Sequence, residues 1–253
     1  MVSFSEAQLL AWITPLLWPF LRALALLSAL PLLGTRSVPT RVRIGLAALI
    51  ALAAQASLPP VQAVPLDSAL AVLLVAQQLV IGLSLGFAVR IVFAAVEFAG
   101  EIIGLQMGLN FAGFFDPLSA TTATATNRFF GTMVAWLFVV INGHLLVIAA
   151  LVQSFAAFPV GPEPFAFLRE AAPQRWGAEV FATGLWIALP LIAMLLFVNL
   201  VLGAVSRVAA QINIFSIGFP VTLMVGLIGL LLTLPALQTP FTLALERLLS
   251  NFQ

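Results

Sequence analysis

Between Ser68 and Val89, Phe129 and Pro162, Val180 and Ser206, and Val208 and Leu245 the chain carries no Asp, Glu, Lys or Arg. A further uncharged run follows Arg43 and ends before Asp67. About 20 apolar residues suffice to cross the hydrocarbon core of a bilayer, so at least five segments are long enough to insert. Of the 253 residues, 62% are hydrophobic and 8% charged, where an ordinary soluble domain has roughly 25% charged. The expectation is an all-α, polytopic hydrophobic protein that works in a membrane.

Several functions are disfavoured at once. The chain has no Cys, which removes disulfides, thiolate metal sites and cysteine catalysis. A formal charge of +1 gives no argument for nucleic acid. His144, the single histidine, sits in the apolar stretch "INGHLLV". No metal-ligand spacing, phosphate loop or nucleophile elbow is present, so no catalytic residue, metal or cofactor is expected. The first acid is Glu6 and the first Arg is Arg22; a secretory signal would place positive charge ahead of its apolar core, so the N-terminal run reads as a retained helix.

Helices are expected at about 6–33, 43–58, 68–103, 128–158, 180–206 and 214–249, six long elements in all, with Pro- and Gly-rich joins at 31–41, 58–65 and 158–164. Arg36, Arg41 and Arg43 crowd the first join, which the positive-inside rule places in the cytoplasm. Arg22 interrupts the first apolar run, where an unpaired charge in lipid is expensive. It therefore faces protein or water, or its helix does not cross lipid in the ordinary way.

Two further features bear on function. Arg90, Glu97 and Glu101 are spaced by seven and four residues and share one helical stripe, which reads as a solvated helix end, an inter-subunit contact or a lumen wall. Gly82 with Gly86, and Gly100, Gly104 and Gly108, recur at intervals of four, a spacing that lets another backbone approach closely. After them comes "GLQMGLNFAGFFDP", residues 104–117. Gly108, Gly113 and the Asp116–Pro117 pair oppose a long regular helix. Irregular backbone at membrane depth must be buried in protein or line a cavity. Met107, Phe111, Phe114 and Phe115 give such a segment a soft apolar tip, which either closes a narrow passage or fills a core.

Three blocks resemble the FliR family of flagellar type III export-gate membrane proteins over about residues 5–249. They are "PFLRALALLSALPLLGTRSVPTRVRIGLA" from Pro19, "GEIIGLQMGLNFAGFFDP" from Gly100 to Pro117, and "VNLVLGAVSRVAAQINIFSIGFP" ending at Pro220. The resemblance implies a single all-helical domain over 1–253 with a hairpin at 180–249 similar to that of FliQ. It implies a non-enzymatic subunit that assembles with FliP-like and FliQ-like proteins, and with FlhB-like and FlhA-like export components, into a gate passing unfolded flagellar proteins. The expected place is the bacterial inner membrane, in the flagellar basal body. The plug of that family maps here to about 106–122, with Gln106, Met107, Gly108, Asn110, Phe111, Phe114, Phe115, Asp116 and Pro117. The Thr-Ala run after Leu118 departs from the family pattern at its downstream end. Arg22, Arg90, Glu97, Glu101 and Arg207 become contacts to neighbouring subunits. Read without the resemblance, the broken segment also suits a small-molecule transporter, while a membrane enzyme using Glu97 or Glu101 lacks a second catalytic group.

Overall fold

The computed structural model describes residues 6–58, 68–109, 125–161, 165–208 and 214–252. All regular structure among them is helical: α1 (Glu6–Ala29), α2 (Thr40–Ala54), α3 (Ala69–Gln106), α4 (Ala125–Val140), α5 (Gly143–Ala157), α6 (Ala166–Glu170), α7 (Gly177–Val208), α8 (Ile214–Thr233) and α9 (Gln238–Leu249), with short 3-10 turns between some of them. The chain divides into two compact units. The first comprises Met1–Ile91, Asn142–Trp176 and Leu245–Gln253, and the second Val92–Ile141 and Gly177–Ala244.

The expected count of six long helices is corrected by two breaks and one short addition, α6. The run 128–158 is divided because Asn142 takes a left-handed conformation, φ 56°, ψ 33°. Asparagine is one of the few residues with a Cβ that visits this region readily. The run 214–249 is divided by a 3-10 turn over Leu234–Leu237. Pro235 lies within that turn and has no N–H to continue an α-helical ladder.

The count of spanning segments changes too. Among the described residues three helical stretches are long and apolar enough to cross a membrane: Ala69–Gln106, Gly177–Val208 and Ile217–Phe252, or four if α4 and α5 together form a broken span. The uncharged run after Arg43 is not among them. Its helix, α2, has 15 residues and a length of about 22 Å, short of the roughly 30 Å hydrocarbon core.

In the first unit α1 packs on α2, whose Ala47, Ala51 and Ala54 form the buried face. Further on, Phe167 of α6 lies between Phe158, edge-on at 5.0 Å between ring centres, and Phe252, stacked at 5.2 Å. Trp176 meets the same Phe252 at 5.5 Å. These rings fasten the chain's end onto the loop after α5. The second unit is held by close helix approaches. A Cβ on Gly184 of α7 would stand 2.6 Å from the carbonyl oxygen of Ala95 in α3. Gly229 of α8 lies against Leu191 and Met194 of α7. Phe93 is edge-on to both Phe138 of α4 and Phe241 of α9, at 5.6 and 6.0 Å.

Candidate functional site

The first unit is organised around Arg22, which is wholly buried. Its guanidinium Nε donates to Oε1 of Gln78 at 2.8 Å. One terminal nitrogen donates to the backbone oxygen of Ser154 at 2.8 Å and to its hydroxyl at 2.9 Å. The other donates to the carbonyl of Phe158 at 3.0 Å. The guanidinium carbon stands 3.6 Å above the centre of the Phe155 ring, a distance at which the ring's negative face attracts a cation.

Local sequence explains how these groups meet. Helix α5 ends at Ala157, before Pro159, and its last carbonyls form a negative pole, where the oxygen of Ser154 accepts from the N–H of Phe158 at 3.0 Å and has a second lone pair to offer. Arg22 supplies donors and positive charge at that end. On the other side, Gln78, Gly82 and Gly86 lie one turn apart along α3. A Cβ on Gly82 would strike the backbone oxygen of Arg22, and one on Gly86 would strike Ala29. The missing side chains bring α3 against α1, close enough for Gln78 to reach Nε. Gln78 in turn donates to Oε1 of Gln77 at 2.9 Å, and Gln77 to the carbonyl of Pro159 at 3.2 Å. Sequence reasoning passed over Gln77, Gln78 and Ser154. The available signal was the adjacent amide pair inside an uncharged run, where an unsatisfied polar group is costly.

In the second unit the site of interest is the root of the segment after α3. Gly100 rests against Phe130 of α4 and Gly104 against Thr126. Helix α3 then ends at Gln106, which is half-buried, and Met107 is fully buried. A Cβ on Gly226 of α8 would lie 2.6 Å from Cγ of Met107. Gly108 follows with φ 78°, the left-handed conformation that commonly closes a helix and that glycine adopts without steric penalty. Its place is therefore past the helix end and not on the small-residue row. Asn110, Phe111, Phe114, Phe115, Asp116 and Pro117 lie outside the described residues.

The remaining charged positions separate by environment. Arg90 and Arg207 are exposed, whereas Glu97 and Glu101 are half-buried. Asn127 of α4 donates to the backbone oxygen of Glu97 at 3.3 Å, and a Cβ on Gly131 would stand 3.2 Å from Oε1 of Glu97. Among the described residues no cluster of His, Asp and Glu has the geometry to hold a metal ion. One cleft of the second unit, about 320 Å³, is lined mainly by apolar residues such as Ile103, Phe130, Trp186, Pro190 and Leu237. Its lining includes no ionisable side chain, and Thr233 supplies its one hydroxyl.

Long apolar helices, a single buried cation tying three of them together, and a small-residue seam leading to a helix end define a structural membrane protein. Comparison with known sequences makes the class specific. The family described as "Bacterial export proteins, family 1" matches residues 13–248. The chain is 46% identical over 241 residues to "Flagellar biosynthetic protein FliR" of Escherichia coli (strain K12), covering 95% of this chain and 92% of that protein. The protein of that name from Pectobacterium carotovorum is 42% identical with the same coverage, and that from Bacillus subtilis (strain 168) is 29% identical over 238 residues, 90% of each. The chain belongs to the FliR family of bacterial export proteins. It is accordingly a membrane component of flagellar export and not an enzyme.

Proposed function

We propose that this chain is a subunit of the flagellar type III export gate, seated in the bacterial inner membrane at the basal body. In this reading it assembles with FliP-like and FliQ-like subunits, works with FlhB-like and FlhA-like components, and helps form the passage for unfolded flagellar proteins. Segment 106–122 closes that passage. The observation that carries the reading is the anchored root of the segment: Met107 is enclosed against Gly226, and Gly108 turns the chain directly afterwards. A plug must resist displacement at its base while its tip yields to cargo, and a buried methionine at the end of a 38-residue helix supplies such a base. The apolar tip of Phe111, Phe114 and Phe115 then excludes water and ions by packing.

The stretch 180–249 serves as a hairpin like that of FliQ, a reading supported by the packing of α8 on α7 at Gly229. The exposed apolar side chains of α7, including Phe181, Trp186 and Phe197, then meet neighbouring subunits or lipid, and Arg90, Glu97, Glu101 and Arg207 make polar contacts between subunits. The test is co-expression with FliP-like and FliQ-like proteins, detergent extraction and native mass spectrometry, followed by conductance of the reconstituted assembly. A defined hetero-oligomer that leaks ions when Phe111, Phe114 and Phe115 are replaced by Ala is the expected result. A chain that remains alone overturns the gate assignment, and an assembly whose conductance is unchanged by the three substitutions overturns the plug.

A further inference from the structure

We propose that the outer face of α2, together with Arg36 and Arg41 at its leading end, docks on anionic phospholipid headgroups of the bilayer. Helix α2 has two faces of opposite fate. Ala47, Ala51 and Ala54 are buried, while Val42, Leu49 and Leu52 are 48%, 64% and 60% exposed. The helix is too short to span the hydrocarbon core, as its 15 residues show. An apolar face on a helix of this length suits the interface plane, where it buries its side chains at the boundary between headgroups and acyl chains.

The charge distribution selects the kind of lipid. No Asp or Glu occurs between Glu6 and Asp67, and the first turn of α2 carries Arg41 and Arg43 with no acid. Arg36 and Arg41 are exposed, and neither has a hydrogen-bond or ion-pair partner among the described residues. Arg43 plays a different part: it donates to the carbonyls of Thr35 and Val38, the latter at 3.0 Å, and so fastens the turn bearing Arg36 to the start of the helix. Two guanidinium groups free of internal partners, held beside an apolar face, match phosphate oxygens above acyl chains, because the planar fork of Arg pairs with phosphate through two parallel bonds. The exposed face of α7 makes the contrast. From Phe181 to Leu200 that helix carries no charged side chain, so it offers lipid an apolar surface with no preference among headgroups.

The absence of Cys allows a direct test. A single Leu49→Cys substitution is labelled with an environment-sensitive fluorophore. The full chain, with whatever subunits co-purify, is reconstituted into vesicles of phosphatidylcholine and phosphatidylglycerol in equal parts, with one or the other lipid brominated. The expected result is stronger quenching by brominated phosphatidylglycerol, a preference of about fivefold for each arginine at low salt. It should fall as salt screens the charges and vanish in the Arg36→Gln, Arg41→Gln double variant. A label at Phe197→Cys on α7 should be quenched equally by both lipids. Equal quenching at Leu49→Cys overturns the proposal, as does a preference that survives loss of both arginines. Absence of quenching by either lipid also overturns it, since protein and not bilayer would then cover the face.

Discussion

The two units share close glycine packing, as at Gly82 and Gly86 in the first and Gly184 and Gly229 in the second, but the first adds a buried polar knot. In the first, a buried guanidinium bonds to α3, to α5 and to the loop after it. In the second, helices meet through glycines set against apolar side chains and backbone, as at Gly100, Gly184, Gly226 and Gly229. The contrast reflects what lipid does to each kind of contact. Between membrane helices apolar surface gains little by leaving hydrocarbon, so association depends on close packing and on hydrogen bonds that have no substitute in the bilayer. Hydrogen bonds fix orientation, because each donor has one acceptor. Small-residue packing fixes distance and leaves more freedom to slide, which suits a unit that carries the root of the proposed plug.

The largest effect is expected at Arg22. Arg22→Ala removes four hydrogen bonds and takes the donor from Oε1 of Gln78 and from the carbonyl of Phe158, while Ser154 keeps its bonds to Phe158 and Leu151, a loss of at least about 3 kcal/mol. Thermal unfolding of the detergent-extracted chain should show it as a much lowered midpoint, and limited proteolysis should find new cuts in the first unit before the second. Arg22→Lys keeps the charge but not the planar fork and should recover about half of the loss. If alanine were tolerated, the distinction between a bonded unit and a packed one would fail.

Met107→Ala tests the packed unit in the same way. Deleting a buried methionine side chain costs about 2 to 5 kcal/mol in well-packed cores. Where small-residue packing leaves freedom to slide, neighbours can close the cavity, so the loss should fall at the lower end. In the assembled complex the same variant should raise ion leak, measured as conductance, with no change in subunit composition. A Met107→Ala complex as tight as the parent would mean that the root of the segment is not what holds it.

A paired glycine experiment then sharpens the contrast. Gly82→Ala places its methyl against the backbone oxygen of Arg22, which cannot turn aside, whereas Gly229→Ala meets the ends of Leu191 and Met194 side chains. Overpacking against fixed atoms costs about 1 to 3 kcal/mol. Against flexible side chains the cost is offset by the roughly 1 kcal/mol that Ala gains over Gly in a helix. Unfolding midpoints should fall for the first and change little for the second.

Much of this architecture is legible in the chain, for identifiable reasons. Long uncharged runs mark α3 and α7 because nothing in them competes with a helix, and the four-residue glycine rows announce close approach before any partner is known. The partners are another matter. Arg22 meets Gln78 and Ser154 across 56 and 132 residues of sequence, and neither an amide pair nor a lone serine in an apolar run declares which distant cation it serves. The break at Asn142 was hidden for a related reason: Asn followed by Gly fits the inside of a membrane helix as well as a left-handed corner, and only tertiary packing decides. Of the segment 106–122, the root through 109 is described, and there Gly108 shows itself as a helix terminator and not a third member of the row begun by Gly100 and Gly104.

Gly45→Ala should have the smallest effect, and it tests whether glycine matters here through space or through helix propensity. A Cβ at Gly45 would meet nothing within 4 Å, and the residue lies on the exposed side of α2. With no neighbour to displace, only the backbone term remains, and it favours alanine by up to about 1 kcal/mol. The unfolding midpoint should stay unchanged or rise slightly in detergent, where no partner subunit competes. A clear fall would mean that Gly45 is covered in the folded protein by something beyond the described residues, which would count against a lipid-facing α2. A rise in the isolated chain joined to loss of assembly would assign the bare backbone at Gly45 to a neighbouring subunit's approach, the kind of contact that Gly82 and Gly86 make with α1 inside the first unit.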